Sequence, residues 1–392
     1  MPHPVFINRV SAYLPHAPVD NEQMEARLGQ VGDRPSRARK LVLRSNGITQ
    51  RHYAIDPESG LPSLNNAQLS AAAIRGLEGP GFDLQQLECL VASSASPDQV
   101  MPNHGVMVHG ELGNPPCEVV STAGICLCGI TALKYAYLSV ASGESRNAVA
   151  CGSELASSLM HARNFEAELE GRVEALEQSP EIAFEKDFLR WMLSDGAGAV
   201  WLEAKPNAEG LSLRIDWIDI LSFADSMPTC MYAGAEREGE GLTGWSRYDG
   251  EARNRLSVMA IKQDVKLLNE NIVRVTVEQA LQRILLRRPL SVEGIDYFLP
   301  HYSSEFFRER LAVGLANVGL PIPQERWFSN LTRKGNTGAA SFFIMLEELF
   351  NGGQLKAGET LLGYVPESGR FSSAFLHLTV VDNRPDNEGV PA

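Results

Sequence analysis

Short apolar runs along the chain predict buried strands, and the segments that follow them have the apolar spacing of helices. In the first half, residues 87–92 (LECLVA) and 148–151 (AVAC) are predicted strands. A helix is predicted between them over about residues 126–139, and Ser142-Gly143 is its expected stop. Near-continuous apolar runs are typical of strands that are covered on both faces, so an α/β fold is indicated.

The second half repeats this order of elements. Residues 295–299 form a predicted strand, and residues 334–338 (KGNTG) form a turn. A helix over 339–350 and a strand over 360–365 follow. Strand, crossover helix and strand in duplicate predict two α/β halves.

The spacing within the two halves also agrees. Cys126 lies 17 residues before Gly143, and Asn336 lies 17 residues before Gly353. A match of spacing within the same order of elements indicates an internal repeat. Cys126 and Asn336 would therefore occupy equivalent helix starts, and pseudo-symmetry would bring both to one crevice.

The repeat sets the predicted organisation of the chain. Residues 1–204 are assigned to the N-terminal half and residues 205–382 to the C-terminal half. An amphipathic helical insertion is predicted at 160–193, and the Gly- and acid-rich segment 204–255 is predicted to be irregular. Residues 383–392 are expected to be a disordered tail.

Composition narrows the class of protein. The net charge of −13 over 392 residues argues against a nucleic-acid-binding protein. No apolar run is long enough to span a membrane and no secretory signal is evident, so a cytoplasmic location is expected. Six scattered cysteines predict free thiols rather than a disulfide framework, and no metal site is expected.

Cys126 is the candidate nucleophile. It follows a small-residue turn at the predicted start of a helix, where backbone N–H groups would lower a thiol pKa from about 8.5 toward neutrality. A buried structural cysteine is the alternative. Cys128 is the rival thiol, but two residues further along a helix it would face another side.

His301 and Asn336 are the candidate partners of this thiol. His301 directly follows the predicted strand that ends at Pro300, and ligands usually bind at the carboxyl ends of such strands. Taken alone, His301 would be a core or surface histidine and Asn336 a turn residue. The repeat is what makes them candidates.

These motifs, taken in order, resemble the β-ketoacyl-ACP synthase III branch of the thiolase superfamily, nearly from end to end. Counting back 17 residues from Ser142-Gly143 selects Cys126 rather than Cys128 in the family pattern. The other matching segments are residues 10–15 (VSAYLP), 46–52 (NGITQRH), 152–154 (GSE), 195–199 (DGAGA), 300–301 (PH) and 335–337 (GNT).

The resemblance implies a thiolase-like fold, with two pseudo-symmetric halves in five α-β-α-β-α layers, and an acyltransferase. Cys126 would hold an acyl group, and His301 and Asn336 would hydrogen-bond the thioester carbonyl of the second substrate. Backbone N–H groups of Cys126 and near Gly369 would bind the oxyanion, each contributing about 3–4 kcal/mol. Acyl carrier protein (ACP) or CoA would present the substrates on phosphopantetheine. No permanently bound cofactor is expected, and the chain would be a homodimer.

The sequence also departs from the housekeeping enzymes of that branch. Tyr302-Ser303-Ser304 follows His301, and Gly124-Ile125 precedes Cys126. With the insertion, these features resemble ketosynthases that form precursors of dialkylresorcinols and stilbenes. Such enzymes condense a β-ketoacyl thioester with an α,β-unsaturated acyl thioester and cyclise the product to a 2,5-disubstituted cyclohexane-1,3-dione.

Cyclisation requires a further acid or base, and Glu154 at the end of a predicted strand is the candidate. Its pKa would rise in an apolar crevice, which suits proton transfer near neutral pH. A structural carboxylate is the alternative. Arg163 in the insertion is a possible partner of Glu154 or a solvated helix residue.

Carrier docking is assigned to basic residues near His301. Arg308 and Arg310 lie on a predicted helix after His301, and Arg333 and Lys334 precede Asn336. They would attract an acidic carrier, although solvated surface charge is the simpler interpretation.

Two other functions remain open from sequence. One is a plain synthase III that condenses malonyl-ACP with loss of carbon dioxide. The other is a non-catalytic carrier-binding subunit.

Overall fold

A computed structural model describes residues 2–31, 39–165, 189–239 and 241–383. Its main strands form one nine-stranded sheet, and the short ones form three two-stranded sheets. In chain order the strands are β1 (Phe6–Tyr13), β2 (Val19–Asp20), β3 (Gln50–Arg51), β4 (Cys89–Ser94), β5 (Glu118–Ala123), β6 (Asn147–Glu154), β7 (Gly196–Glu203), β8 (Leu211–Ser222), β9 (Met231–Tyr232), β10 (Ala235–Glu238), β11 (Gly241–Gly244), β12 (Lys262–Gln263), β13 (Tyr297–Pro300), β14 (Thr360–Glu367) and β15 (Ser372–Asp382).

The helices cover both faces of the large sheet. A π-helical segment, Arg274–Gln279, joins the helix that ends at Val273 to the helix that begins at Ala280. In chain order they are α1 (Met24–Leu28), α2 (Arg39–Asn46), α3 (Asn66–Arg75), α4 (His104–Leu112), α5 (Cys128–Ser142), α6 (Ala156–Met160), α7 (Gly250–Arg255), α8 (Val265–Val273), α9 (Ala280–Leu285), α10 (Arg308–Asn317), α11 (Leu331–Lys334) and α12 (Ser341–Asn351).

The large sheet contains the same pairing pattern twice. Its order is β13-β14-β15-β8-β1-β7-β6-β4-β5. From β1 outward, β7 and β6 pair antiparallel, and β4 is parallel to β6. From β8 outward, β15 and β14 pair antiparallel, and β13 is parallel to β14. Two structurally equivalent halves therefore meet where β1 pairs with β8.

Side chains alternate along the strands of the N-terminal half, β1, β7, β6, β4 and β5, and this creates separate cores on the two faces of that part of the sheet. In β6, Val149 and Cys151 join the core formed with α3 and α4, whereas Ala148 and Ala150 join the core formed with α5 and α12. This is the two-residue period of a strand covered on both faces. A third core lies under α8 to α10 on the C-terminal half. The five layers are thus α3 with α4, the N-terminal strands, α5 with α12, the C-terminal strands, and α8 to α10, which confirms the predicted fold class.

The two halves touch closely at one peptide unit. A Cβ atom added to Gly129 or Gly152 would lie 2.3 Å from the carbonyl oxygen of Ala339. Gly129 lies in α5 and Gly152 in β6, while Ala339 belongs to the 3-10 turn Gly338–Ala340 that precedes α12. Only residues without a side chain allow this approach. The contact fixes the turn after Asn336 against the N-terminal half.

The predicted elements are largely confirmed, with shifted ends. Helix α5 begins at Cys128 rather than near Cys126, and it ends with Gly143 as its C-cap at φ 79°. The helix after Asn336 begins with a 3-10 turn and continues as α12.

Two local predictions were wrong. Segment 204–255 is not wholly irregular, because it contains the twelve-residue strand β8 in the middle of the sheet. Its charged residues fall among apolar positions such as Leu213 and Ile215, which are buried. The small-residue turn predicted before Cys126, residues 121–124, is also wrong in part, because residues 121–123 are the end of β5.

Some predictions fall outside the described residues. The helix predicted within 160–193 lies mostly on residues 166–188, and the predicted disordered tail lies almost entirely on 384–392. In the part of the chain that the structure describes, no helix is long and apolar enough to cross a membrane.

The close contact at Ala339 predicts that a methyl group added at Gly152 lowers the stability of the protein, whereas one added at Gly110 does not. Gly152→Ala should lower the free energy of unfolding by about 1–3 kcal/mol, because the new methyl group would overlap Ala339. Gly110→Ala is the matched control: Gly110 lies in α4, nothing lies within 4 Å of its added Cβ, and the helix favours alanine. Thermal melts should show a lower Tm for Gly152→Ala only; equal Tm values would refute the contact.

Candidate active site

Strand ends from both halves converge on one cavity of about 90 Å³. Cys126 follows β5, Glu154 ends β6, His301 follows β13, and Asn336 follows α11. All four line this cavity. The structure therefore brings together the four residues that the sequence singled out for catalysis.

Cys126 lies in a turn between β5 and α5. The turn is closed by Cys128, whose N–H donates to the carbonyl of Ile125 at 3.2 Å. Cys126 is half-buried and lines the cavity. Cys128 is buried beside Ser93 instead. Cys126 is therefore the thiol that a substrate in the cavity can reach.

The electrostatic surroundings of Cys126 differ from those predicted. Burial raises the pKa of the Cys126 thiol, and the carboxylates of Glu154 and Glu367 raise it further. The predicted lowering of this pKa was wrong, because burial of the thiol, and after it the two acidic side chains, outweigh the expected effect of a helix start. Cys126 is thus a neutral thiol at rest.

His301 is held by the sheet that it leaves. Its N–H donates to the carbonyl of Tyr364 at 2.8 Å and extends the parallel pairing of β13 with β14. Burial lowers the pKa of His301 to about 4. A neutral imidazole carries one donor and one acceptor nitrogen, so His301 can donate to a substrate oxygen without bringing a charge.

Asn336 is fixed through its backbone by residues that precede β7. Its N–H donates to the carbonyl of Met192 at 3.0 Å, and its carbonyl accepts from the Ser194 N–H at 2.9 Å. Its side-chain oxygen accepts from the Gly338 N–H at 3.0 Å. This leaves the Asn336 amide NH₂ as the donor available to a substrate.

Glu154 is almost fully buried and accepts three hydrogen bonds. They come from the Ala95 N–H at 3.0 Å, the Ser96 hydroxyl at 2.6 Å and the Ala339 N–H at 3.1 Å. Burial nevertheless raises the pKa of Glu154 to about 7, and the hydrogen bonds offset only part of that rise. The predicted upward shift is confirmed, and Glu154 exchanges a proton close to neutral pH.

The rest of the cavity wall is mainly apolar. Its walls come from the residues before β7, from α8 and from α10, and they include Leu189, Met192, Leu268, Ile272, Phe307 and Leu311. Gln263 and Ser368 add a polar patch, joined by a 3.0 Å hydrogen bond. Such a wall suits an acyl chain and excludes water from the reacting carbonyl.

Three residues near the site were missed from sequence. Ser96 hydrogen-bonds Glu154, Tyr364 lines the cavity, and Glu367 lies beside the Cys126 turn. Each lies in or just after a strand of the predicted repeat, so the ends of the strands flanking each helix were the available signal.

The arginines predicted to bind the carrier are not among the residues that line the cavity. Arg163 is exposed and Glu154 has other partners, so Arg163 is not the partner of that carboxylate. The Arg308 guanidinium donates hydrogen bonds to the Gln324 side-chain oxygen at 2.8 Å and to the Tyr302 hydroxyl at 2.9 Å. Arg310 is exposed and stacks 4.1 Å from the ring centre of Phe306.

Gly369 lies in the hairpin between β14 and β15. Its carbonyl accepts from the Cys230 N–H at 2.8 Å. An added Cβ would lie 3.0 Å from the Ile125 side chain. The hairpin therefore packs against the residue that precedes Cys126, and the oxyanion role of Gly369 stays a prediction.

Part of the chain matches a known family model. Residues 285–369 match the family described as 3-oxoacyl-(acyl-carrier-protein) synthase III C terminal. This segment contains His301 and Asn336 and reaches Gly369.

Solved structures resemble the chain over nearly its whole length. AbyA1, a tetronic acid condensing enzyme, is 21% identical with a TM-score of 0.71, covering 96% of this chain and 99% of that one. The 3-oxoacyl-(acyl carrier protein) synthase III FabH from Pseudomonas aeruginosa PAO1 is 19% identical with a TM-score of 0.71, at the same coverage. OleA from Xanthomonas campestris, solved with lauric acid and lauroyl-CoA, is 17% identical with a TM-score of 0.72, covering 97% and 100%.

The fold is thiolase-like. At these identities the structural matches establish the fold alone. The thiolase-like fold and the match of residues 285–369 agree with the predicted class of enzyme, an acyltransferase that condenses thioesters.

The raised pKa of Glu154 predicts a pH-dependent stability difference. Ionised Glu154 is disfavoured in the folded state, so its stabilising contribution is complete below about pH 4.5 and is lost as the pH rises through about 7. Relative to Glu154→Gln, the wild-type protein should lose up to about 3 kcal/mol of unfolding free energy across that range.

Urea unfolding of both proteins between pH 4.5 and 8 measures this difference. Asp195, whose pKa burial raises to about 6, and His301 are present in both proteins, so their contributions largely cancel. A difference that stays constant with pH would contradict the assignment.

Proposed function

We propose that the chain is a condensing acyltransferase of the 3-oxoacyl-ACP synthase III type, in which Cys126 covalently holds the acyl group. The observation that carries this proposal is the meeting of Cys126, His301 and Asn336 in one apolar cavity. A thiol, an imidazole and a carboxamide from three separate segments have a common chemical use there. The thiol forms a thioester, and the other two groups donate to a carbonyl oxygen that gains negative charge.

We further propose that the reaction forms a cyclohexane-1,3-dione from an α,β-unsaturated acyl thioester and a β-ketoacyl thioester. The enoyl group is placed on Cys126, because its carbonyl carbon becomes a ring ketone and loses its sulfur. In this first step the Cys126 sulfur attacks that carbon, the bond to the carrier sulfur breaks, and the carrier thiol leaves with the proton.

Two carbon–carbon bonds then close the ring. C4 of the β-ketoacyl thioester, after losing a proton, attacks the enoyl carbonyl and expels the Cys126 sulfur, which takes up a proton. His301 and Asn336 donate to the thioester carbonyl of that substrate, which gains negative charge when C2 loses a proton in the next step. C2, after losing a proton, adds to the enoyl β carbon, and the α carbon takes up a proton. Hydrolysis of the remaining thioester by water and loss of carbon dioxide give the 2,5-disubstituted ring.

Glu154 is proposed as the group that moves these protons. It lines the same cavity as Cys126 and is held by Ala95, Ser96 and Ala339. A pKa of about 7 lets one carboxyl group both accept and return a proton at neutral pH. A carboxylate with an ordinary pKa would return it poorly.

The main alternative is decarboxylative condensation with malonyl-ACP. The match of residues 285–369 to the synthase III model favours it. In that reaction the malonyl thioester loses carbon dioxide, and the resulting carbanion attacks the acyl group on Cys126 and releases its sulfur.

The substrates would arrive on a phosphopantetheine arm of acyl carrier protein. Arg310 is the charge retained for docking, because it is exposed and donates to the Asn269 carbonyl at 3.2 Å, whereas Arg308 is partly buried and hydrogen-bonded to Gln324 and Tyr302. The homodimer implied by the family resemblance stays a prediction.

A product assay separates these functions. Wild-type protein given an enoyl-ACP and a β-ketoacyl-ACP should yield the cyclic dione by mass spectrometry, with an enoyl adduct on Cys126. Cys126→Ala should give neither. A linear 3-oxoacyl product and carbon dioxide from malonyl-ACP, with no ring from the first pair, would favour the alternative. Absence of any acyl adduct would indicate a carrier-binding subunit.

The role of Glu154 predicts a split between the two stages. Glu154→Gln should leave acylation of Cys126 at or above the wild-type rate, because a charge that disfavours the thiolate is removed. Ring formation should fall by about 100-fold or more, since the proton relay is lost. Single-turnover assays of adduct and product measure both. Unchanged ring yield, or loss of acylation, would argue for a structural role only.

A further inference from the structure

Glu367 is an acidic residue of the β14–β15 hairpin that the proposed reaction leaves unused. Along β14, Leu361 and Val365 join the central core with α5, whereas Tyr364 and Pro366 face the cavity. Because side chains alternate along a strand, Glu367 lies on the side of Leu361 and Val365. Its carboxylate is thereby directed to the turn that carries Cys126, from the opposite half of the molecule.

The carboxylate contacts the backbone on both sides of Cys126. Its Oε2 atom accepts from the Ile125 N–H at 3.1 Å, and the nearby Leu127 N–H offsets part of the rise that burial gives the pKa of this carboxyl. It also packs closely on Gly124, where an added Cβ would lie 3.2 Å from Oε2. Residues 124, 125 and 127 are thus tied to one side chain, and the backbone between them has little freedom.

We propose that Glu367 is a positioning residue, whose carboxylate anchors the turn carrying Cys126 and places a negative charge beside its thiol. This role deepens the proposed function and rests on it, because the nucleophile that Glu367 positions is the proposed acyl carrier. The anchor uses a charged acceptor, and hydrogen bonds to charged groups are stronger than those to neutral ones.

The charge has a consequence for the reactivity of the thiol. Four titratable groups lie around Cys126: Glu154 from β6, Glu367 from β14, His301 after β13, and Cys128 at the start of α5. His301 is neutral, so the two carboxylates supply the charge. Both raise the pKa of Cys126, and removal of either should lower it.

Two variants separate the anchor from the charge. Glu367→Gln removes the charge and keeps an acceptor oxygen for the turn, whereas Glu367→Ala removes both. Glu270→Gln is the control, because it removes the same charge at an exposed position of α8. Iodoacetamide alkylation of Cys126, followed by peptide mass spectrometry against pH, reports the thiolate. Acylation by an acyl thioester reports its placement.

We expect the alkylation midpoint to fall by about one pH unit in both Glu367 variants and to stay unchanged in the control. Acylation should stay within about threefold of wild type in Glu367→Gln and fall at least about tenfold in Glu367→Ala, because the sulfur is displaced. Faster alkylation with slower acylation is a combination that general destabilisation does not produce.

Unchanged alkylation midpoints in both variants, or wild-type acylation by Glu367→Ala, would overturn the proposal. If a thermal melt shows that Glu367→Ala does not fold, the midpoint of Glu367→Gln decides. Alkylation requires no thioester substrate. Failure of the wild-type protein to accept any acyl group would therefore refute the proposed function, whereas the alkylation midpoints would still test the role of Glu367.

Discussion

The carbonyl oxygen of Ala339 rests against two glycines of the opposite half, and the site depends on that contact. Gly129 and Gly152 have no side chains to separate α5 and β6 from the turn at Ala339. The N–H of the same residue donates to Glu154. The N–H and the carbonyl of one residue of the C-terminal half, Ala339, are therefore both held by the N-terminal half. Asn336, three residues earlier, can then lie beside Cys126 and Glu154.

The second organising feature is the absence of permanent charge on the central thiol and imidazole at neutral pH. The pKa of His301 is about 4 and that of Glu154 about 7, while the Cys126 pKa is raised. An apolar enclosure disfavours every isolated charge, so burial shifts the pKa of each group toward its uncharged form. Of these three groups, Glu154 is therefore the one that exchanges a proton near neutral pH.

The sequence was informative where a short-range pattern has only one spatial outcome. The 17-residue spacing from Cys126 to Gly143 and from Asn336 to Gly353 placed both residues just before crossover helices, and the pairing of the strands then brought those helix starts together. The order of motifs predicted the two halves and the thiolase-like fold. His301 was found because it directly follows an apolar strand.

Other features depend on contacts between distant segments and had no local signal. The carboxylate of Glu367 reaches the Cys126 turn across 242 positions of sequence, and it changed the expected thiol pKa. Strand β8 was missed because charged residues alternate with the buried ones on a strand in the middle of the sheet. From its composition alone, such a segment is predicted to be irregular.

The division of the site between two halves bears on how the protein is made. A ribosome synthesises the N-terminal half first, with its nucleophile, while the imidazole, the carboxamide and the Glu367 anchor are still untranslated. A partly made chain thus has the Cys126 thiol without the other groups that surround it in the folded protein. The surroundings of Cys126 are consequently complete only when the last hairpin, β14–β15, has folded onto the finished molecule.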